Sequence, residues 1–125
     1  MTSITITEVQ DHKVMFTSLL GNGVAIWVGE LPQIGGCYHV ELEVNDVFEW
    51  GENIDYVKEE TSIIRMIEDE LLFIAQVLSY EDDGVLTVSI GGEIIFLDVN
   101  PPPDISDYVS FSTSINNVSL YPVEF

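Results

Sequence analysis

Apolar and polar side chains alternate with a period of two through nearly the whole chain, and glycine, asparagine, aspartate or proline interrupts them at short intervals. A strand points successive side chains to opposite faces, so this pattern describes half-buried strands joined by tight turns. Ile4 and Ile6 alternate with Thr5 and Thr7, with Val9 beyond, as a first strand. Val14 to Leu20 reads as a second strand and Val24 to Val28 as its return. Gly21-Asn22-Gly23 between them reads as the hairpin turn, because glycine and asparagine accept positive φ. A loop from Gly29 to Gly36 leads to the clearest amphipathic run. Tyr38, Val40, Leu42 and Val44 share one face, and His39, Glu41 and Glu43 face water.

Ser62 to Ile67 and Leu71 to Ser79 are apolar runs around Glu68-Asp69-Glu70. Residues 59–78 would also suit one helix. The β-branched Ile63, Ile64, Ile67, Ile74 and Val77 favour two strands. Glu81-Asp82-Asp83-Gly84 reads as a turn into a strand from Val85 to Ile90, and Gly91-Gly92 as a turn into Ile94 to Val99. Asn100 to Asp104 carries three prolines and reads as a stiff loop. Tyr108 to Ser112 and Val118 to Val123, around Asn116-Asn117, close the chain. The expected fold is all-β: a single acidic domain over residues 1–125, built as a small antiparallel barrel or sandwich of about nine or ten short strands, with an OB-like barrel as one form. With 46% hydrophobic residues in 125, there is material for a core.

Charge then narrows the function. The chain has 22 Asp and Glu against three cations, Lys13, Lys58 and Arg65, for a net charge of −19. Self-repulsion on this scale opposes compaction and favours solubility. Nucleic acid and anionic membranes are poor partners, since both need Lys or Arg to neutralise phosphate. A basic protein is the natural complement, and a generally acidic proteome is the alternative. Eleven of the 22 acids fall in residues 41–70. Within that block Asp46, Glu49, Glu52 and Asp55 recur every third residue, interleaved with Phe48, Trp50 and Tyr56 and followed by Glu59 and Glu60. Carboxylates steer a cationic surface and accept paired bonds from arginine. Aromatic rings are frequent interface anchors. These nine residues are the candidate partner-binding site. The competing reading makes Phe48 and Trp50 plugs for the end of a barrel.

Gly36-Cys37-Tyr38-His39-Val40-Glu41-Leu42-Glu43-Val44, followed by Phe48-Glu49-Trp50-Gly51-Glu52-Asn53-Ile54, resembles a pattern in small bacterial proteins. Val118-Ser119-Leu120-Tyr121-Pro122-Val123 is similar to their closing strand. Small acidic proteins of this kind also resemble the immunity proteins of contact-dependent inhibition and other polymorphic toxin systems. The resemblance implies neutralisation of a cognate toxin, often a basic nuclease.

Catalytic chemistry finds no footing. His12 and His39 read as surface residues, and Cys37, the only cysteine, as a core or half-buried thiol. The sequence carries no phosphate loop, nucleophile elbow or zinc spacing. The spacing of Asp46, Glu49, Glu52 and Asp55 does not fit a calcium loop. No catalytic, metal or cofactor site is expected. A lone cysteine, an N-terminus unlike a signal peptide and the lack of a long apolar run make a cytoplasmic protein the expectation. A nucleic-acid mimic that sequesters a DNA- or RNA-binding protein, a structural or accessory subunit, and an enzyme are the other readings.

Overall fold

In the computed structural model, which describes residues 2–81, 83–100 and 107–123, the alternating runs are strands. The described residues hold twelve: β1 (Thr2–Gln10), β2 (Lys13–Ser18), β3 (Gly21–Trp27), β4 (Cys37–Val44), β5 (Val47–Phe48), β6 (Ile54–Tyr56), β7 (Ile63–Ile67), β8 (Glu70–Tyr80), β9 (Val85–Ile90), β10 (Glu93–Val99), β11 (Tyr108–Ser114) and β12 (Val118–Pro122). A single 3-10 turn, Ile115–Asn117, precedes β12. The all-β expectation holds. Residues 59–78 contribute the two strands β7 and β8 rather than a helix, with a two-residue turn at Glu68-Asp69. Asp82 and the prolines of the 100–104 loop lie outside the described residues.

Five strands close a barrel in the order β4-β1-β2-β3-β12. β12 completes the ring, placing Leu120 opposite Leu42 of β4 in an antiparallel ladder and opposite Trp27 of β3 in a parallel one. Numbered in chain order, these five strands follow the ring order 1-2-3-5-4, the connectivity of an OB-like Greek-key barrel. The whole stretch from Asn45 to Asn117 is inserted between two strands that are neighbours in the ring, β4 and β12. Long β8 organises this insert. It pairs with β7 over Glu70–Ile74, with β9 over Gln76–Tyr80, and with β11 over Glu70–Gln76. Register shifts at Thr7 in β1 and Leu78 in β8 mark bulges, which bend a strand and help a sheet curl. Barrel and insert share one hydrophobic cluster, from Ile6, Trp27 and Leu42 to Phe48, Phe73, Leu86 and Phe111.

Four details depart from the sequence reading. Two extra strands, β5 and β6, arise between β4 and β7, within residues 45–60, where the sequence shows no alternating run. The sheet is not wholly antiparallel: β3 runs parallel to β12 and β7, and β5 runs parallel to β10. The first hairpin turns at Leu19-Leu20, since Gly21, Asn22 and Gly23 already pair with Ser18, Thr17 and Phe16. Ser18 makes this turn without glycine: its hydroxyl accepts from the Leu20 amide (3.1 Å) and donates to the Gly21 carbonyl (2.8 Å). Gly21 serves another purpose. It sits at φ +136° opposite Ile64, and a Cβ there would overlap the Ile64 carbonyl. The glycine therefore lets β7 join the barrel strand β3. Cys37, finally, is exposed rather than buried. Alternation that buries Val40 and Leu42 sends Cys37 outward with His39, and its sulfur lies 3.4 Å from the Thr5 hydroxyl.

Candidate protein-binding site

The acidic connection leaves β4 through Asn45 and is pinned at once. Asp46 Oδ1 accepts from the Val47 amide (2.8 Å) and Oδ2 from the hydroxyl of buried Thr113 (2.7 Å). Asn117 donates to the same hydroxyl at 3.0 Å. Asp46 is therefore half-buried and spends its acceptors inward. The next pair, Val47-Phe48, lies parallel to Asp98-Val99 of β10. Alternation sends Phe48 into the core, fully buried and edge-on to Phe111 at 5.4 Å, while Phe111 stacks on Phe73 at 5.1 Å. Phe48 is thus foundation rather than contact surface.

Beyond Phe48 the chain makes a compact turn. The Asn53 side chain accepts from the Glu49 amide (2.8 Å) and donates to the Val47 carbonyl (3.1 Å). The Glu49 carbonyl accepts from the amides of Glu52 (3.1 Å) and Asn53 (3.2 Å), and Gly51 donates to Ile54 at 3.0 Å. Gly51 takes φ +84°, which a side chain would resist. Trp50 is half-buried, donates its indole N–H to the Asn100 carbonyl (2.9 Å), and leans on Tyr56 with ring centres 4.8 Å apart. Both rings brace the turn from behind. Glu49, Glu52 and Asp55 stand exposed on it, and Glu59 and Glu60 are exposed on the segment that follows. Asp55 also accepts from the Tyr56 amide at 2.9 Å.

Asp55 lies opposite Ser110 of β11, whose register places it on the same sheet face as Ser114 and Glu70. Asp55 and Glu70 are thus about 13 Å apart along the strand direction, at ~3.3 Å per residue. A shallow depression of about 190 Å³ between Glu52, Asn53, Asp55, Leu72, Ser110 and Ser112 opens on this face. On the barrel side, Glu41 and Glu43 are exposed on β4. Glu43 raises the Tyr121 phenol above the ordinary tyrosine value of 10.0, first by repelling the phenolate and then by accepting its hydrogen bond. Ultraviolet titration should therefore show one tyrosine ionising late, and Glu43→Gln should bring it back toward 10.0. The folded-state value lies above the unfolded one. Any stability from this contact is therefore present below pH 10.0 and is lost as pH climbs through the raised value. A Tyr121 that titrates unchanged in the Glu43→Gln protein would refute the pairing.

Sequence reasoning missed a neighbouring apolar strip. Ile94 and Phe96 point outward from β10, and Val47 joins them from β5 because it lies opposite Asp98. Phe96 is 66% exposed and Val47 65%, high values for side chains of this kind. Among the described residues no three His, Cys, Asp or Glu gather as a metal site requires. His12 bonds the Trp27 carbonyl at 3.2 Å, and His39 the Ser3 hydroxyl at 3.0 Å. No helix among the described residues is long and apolar enough to cross a membrane.

No family model matches this chain, and no curated protein or solved structure matches it. The functional reading rests on the residues themselves: exposed carboxylates on a braced turn, beside exposed apolar side chains at a sheet edge.

Proposed function

We propose that this chain is an immunity-type inhibitor, a cytoplasmic acidic β-protein that binds and neutralises a basic cognate toxin domain, a nuclease by class, and catalyses nothing itself. The observation that carries the reading is the turn at 49–55. Its backbone is held by the Asn53 side chain, by bonds to the Glu49 carbonyl and by the Trp50–Asn100 link, while its carboxylates face water. A charged loop ordered in advance loses less entropy on association than a mobile one. The acids also face almost no internal competition, with three cations for 22 carboxylates. A cationic protein is the partner that gains most from such a surface. Asp46 and Phe48 then act from beneath, and Glu49, Trp50, Glu52, Asp55, Tyr56, Glu59 and Glu60 form the face and its backing.

Co-expression with the protein encoded beside its gene tests this directly. The expected result is a stoichiometric complex with one basic domain and relief of that domain's toxicity. Indiscriminate capture of many unrelated basic proteins at low salt would instead support a nucleic-acid mimic and sink the cognate-partner reading.

A further inference from the structure

Glu93 ties the start of β10 to the Thr2 hydroxyl (3.2 Å), and β4 packs along the strand, so its backbone edge is closed. What β10 leaves to solvent is side chains. Ile94, Phe96 and Asp98 point outward, with Ser89, Thr87 and Val85 of β9 opposite them. On the other flank Val47 of β5 lies opposite Asp98 and is exposed too. Ile94, Phe96 and Val47 thus share one outer face, on which the run from Ile94 to Asp98 covers about 13 Å at ~3.3 Å per residue. Exposed carboxylates rim it: Asp98 on the strand itself, Glu49 two residues beyond Val47, and Glu43 across a depression of about 350 Å³ between β4 and β10. Exposed apolar patches with a polar rim mark sites of association.

We infer that this face is the desolvated centre of the partner interface: Phe96, Ile94 and Val47 seat side chain to side chain on an apolar patch of a basic protein domain, whose lysines and arginines ring that patch and meet Glu43, Glu49 and Asp98. This deepens the basic-partner reading and rests on it. Charge complementarity selects the occupant. Lys58 and Arg65 are the only lysine and arginine beyond residue 40, and neither belongs to β4, β5, β9 or β10. A second copy docked on the same face would set Glu43, Glu49 and Asp98 against their own equivalents, with no cation between them. A basic domain turns that rim from repulsive to attractive. The arrangement also divides the labour. Carboxylates at a rim act mainly on the rate of encounter and are screened by salt, whereas burial of an aromatic centre slows dissociation and is not screened. The acidic turn therefore captures the partner, and Phe96 with its neighbours holds it.

The probes are two synthetic peptides of equal charge, titrated into the isotope-labelled chain by amide NMR at low and at physiological salt. One is a lysine–leucine peptide with an apolar helical face; the other carries glutamine for every leucine. At physiological salt the leucine peptide should shift Val47, Ile94 and Phe96 saturably and the glutamine peptide should not, and Phe96→Ala should weaken the leucine peptide about fivefold or more, the effect of truncating an interface anchor. Val47→Ser serves the same purpose should Phe96→Ala fail to fold. Equal binding of the two peptides, shifts confined to 49–60, or an affinity indifferent to both substitutions overturns the apolar centre and leaves the basic-partner reading standing. Failure of both peptides to bind at either salt also overturns the centre. If the co-expressed neighbour then forms no complex either, both readings fall. A homodimer that Phe96→Ala dissociates, seen by analytical ultracentrifugation, would assign the face to a second copy and overturn the inference.

Discussion

Phe48→Ala should cost about 3–5 kcal/mol of folding stability, the usual toll for deleting a buried phenylalanine ring. A domain of this size has only ~5–15 kcal/mol to lose. The ring is fully buried and sits edge-on to Phe111, which stacks on Phe73, so its removal opens a cavity among aromatic neighbours. It also fixes β5 against Val99, so the acidic turn beyond it would lose its base. Trp50→Ala should cost distinctly less, because Trp50 is half-buried and contributes one indole bond and one ring contact. Equilibrium urea unfolding of both variants gives the comparison. A Phe48→Ala protein within about 1 kcal/mol of the parent would contradict its place in the core.

The second large effect is kinetic. Replacing Glu49, Glu52 and Asp55 by Gln, Gln and Asn should slow association with a basic partner about tenfold or more at low ionic strength, with little change in dissociation. Charge-steered encounters gain a factor of ~10–1,000 in on-rate. That advantage fades as the Debye length contracts from ~30 Å at 0.01 M to ~8 Å at physiological salt. Parent and variant should therefore converge as salt rises, which stopped-flow mixing can follow. Asp46 is left intact because its carboxylate holds Thr113 and the Val47 amide, and its loss would confuse folding with binding. An on-rate unaffected by the triple replacement would move the contact surface away from this turn. The variant should fold at least as well as the parent, since it sheds three of the uncompensated charges behind the net −19.

The strand architecture was legible because burial follows parity. In β4, β10 and β11 alternate residues are buried almost without exception, as the alternating sequence requires. β5 and β6 were not legible: two and three residues are too short to display a period. Gly21 misled because glycine serves equally in a turn and where two backbones cross, and only the approach of Ile64 distinguishes them. The parallel pairings join segments far apart in the chain and leave no local signature. Of the candidate site, the exposed acids were readable from charge alone. The inward role of Asp46 depended on Thr113, 67 residues away. Phe96 was missed because Glu93–Val99 is apolar at both parities, so the sequence does not announce which side faces water.

The insertion between β4 and β12 has a consequence for biosynthesis. Four staves of the barrel leave the ribosome early, but the fifth, which seals the gap between β3 and β4, emerges only after the whole excursion from Asn45 to Asn117. Until then β3 and β4 lack the strand that links them, and pairings between distant segments form slowly. Chains interrupted before Val118 should accordingly accumulate as sticky, half-built cylinders.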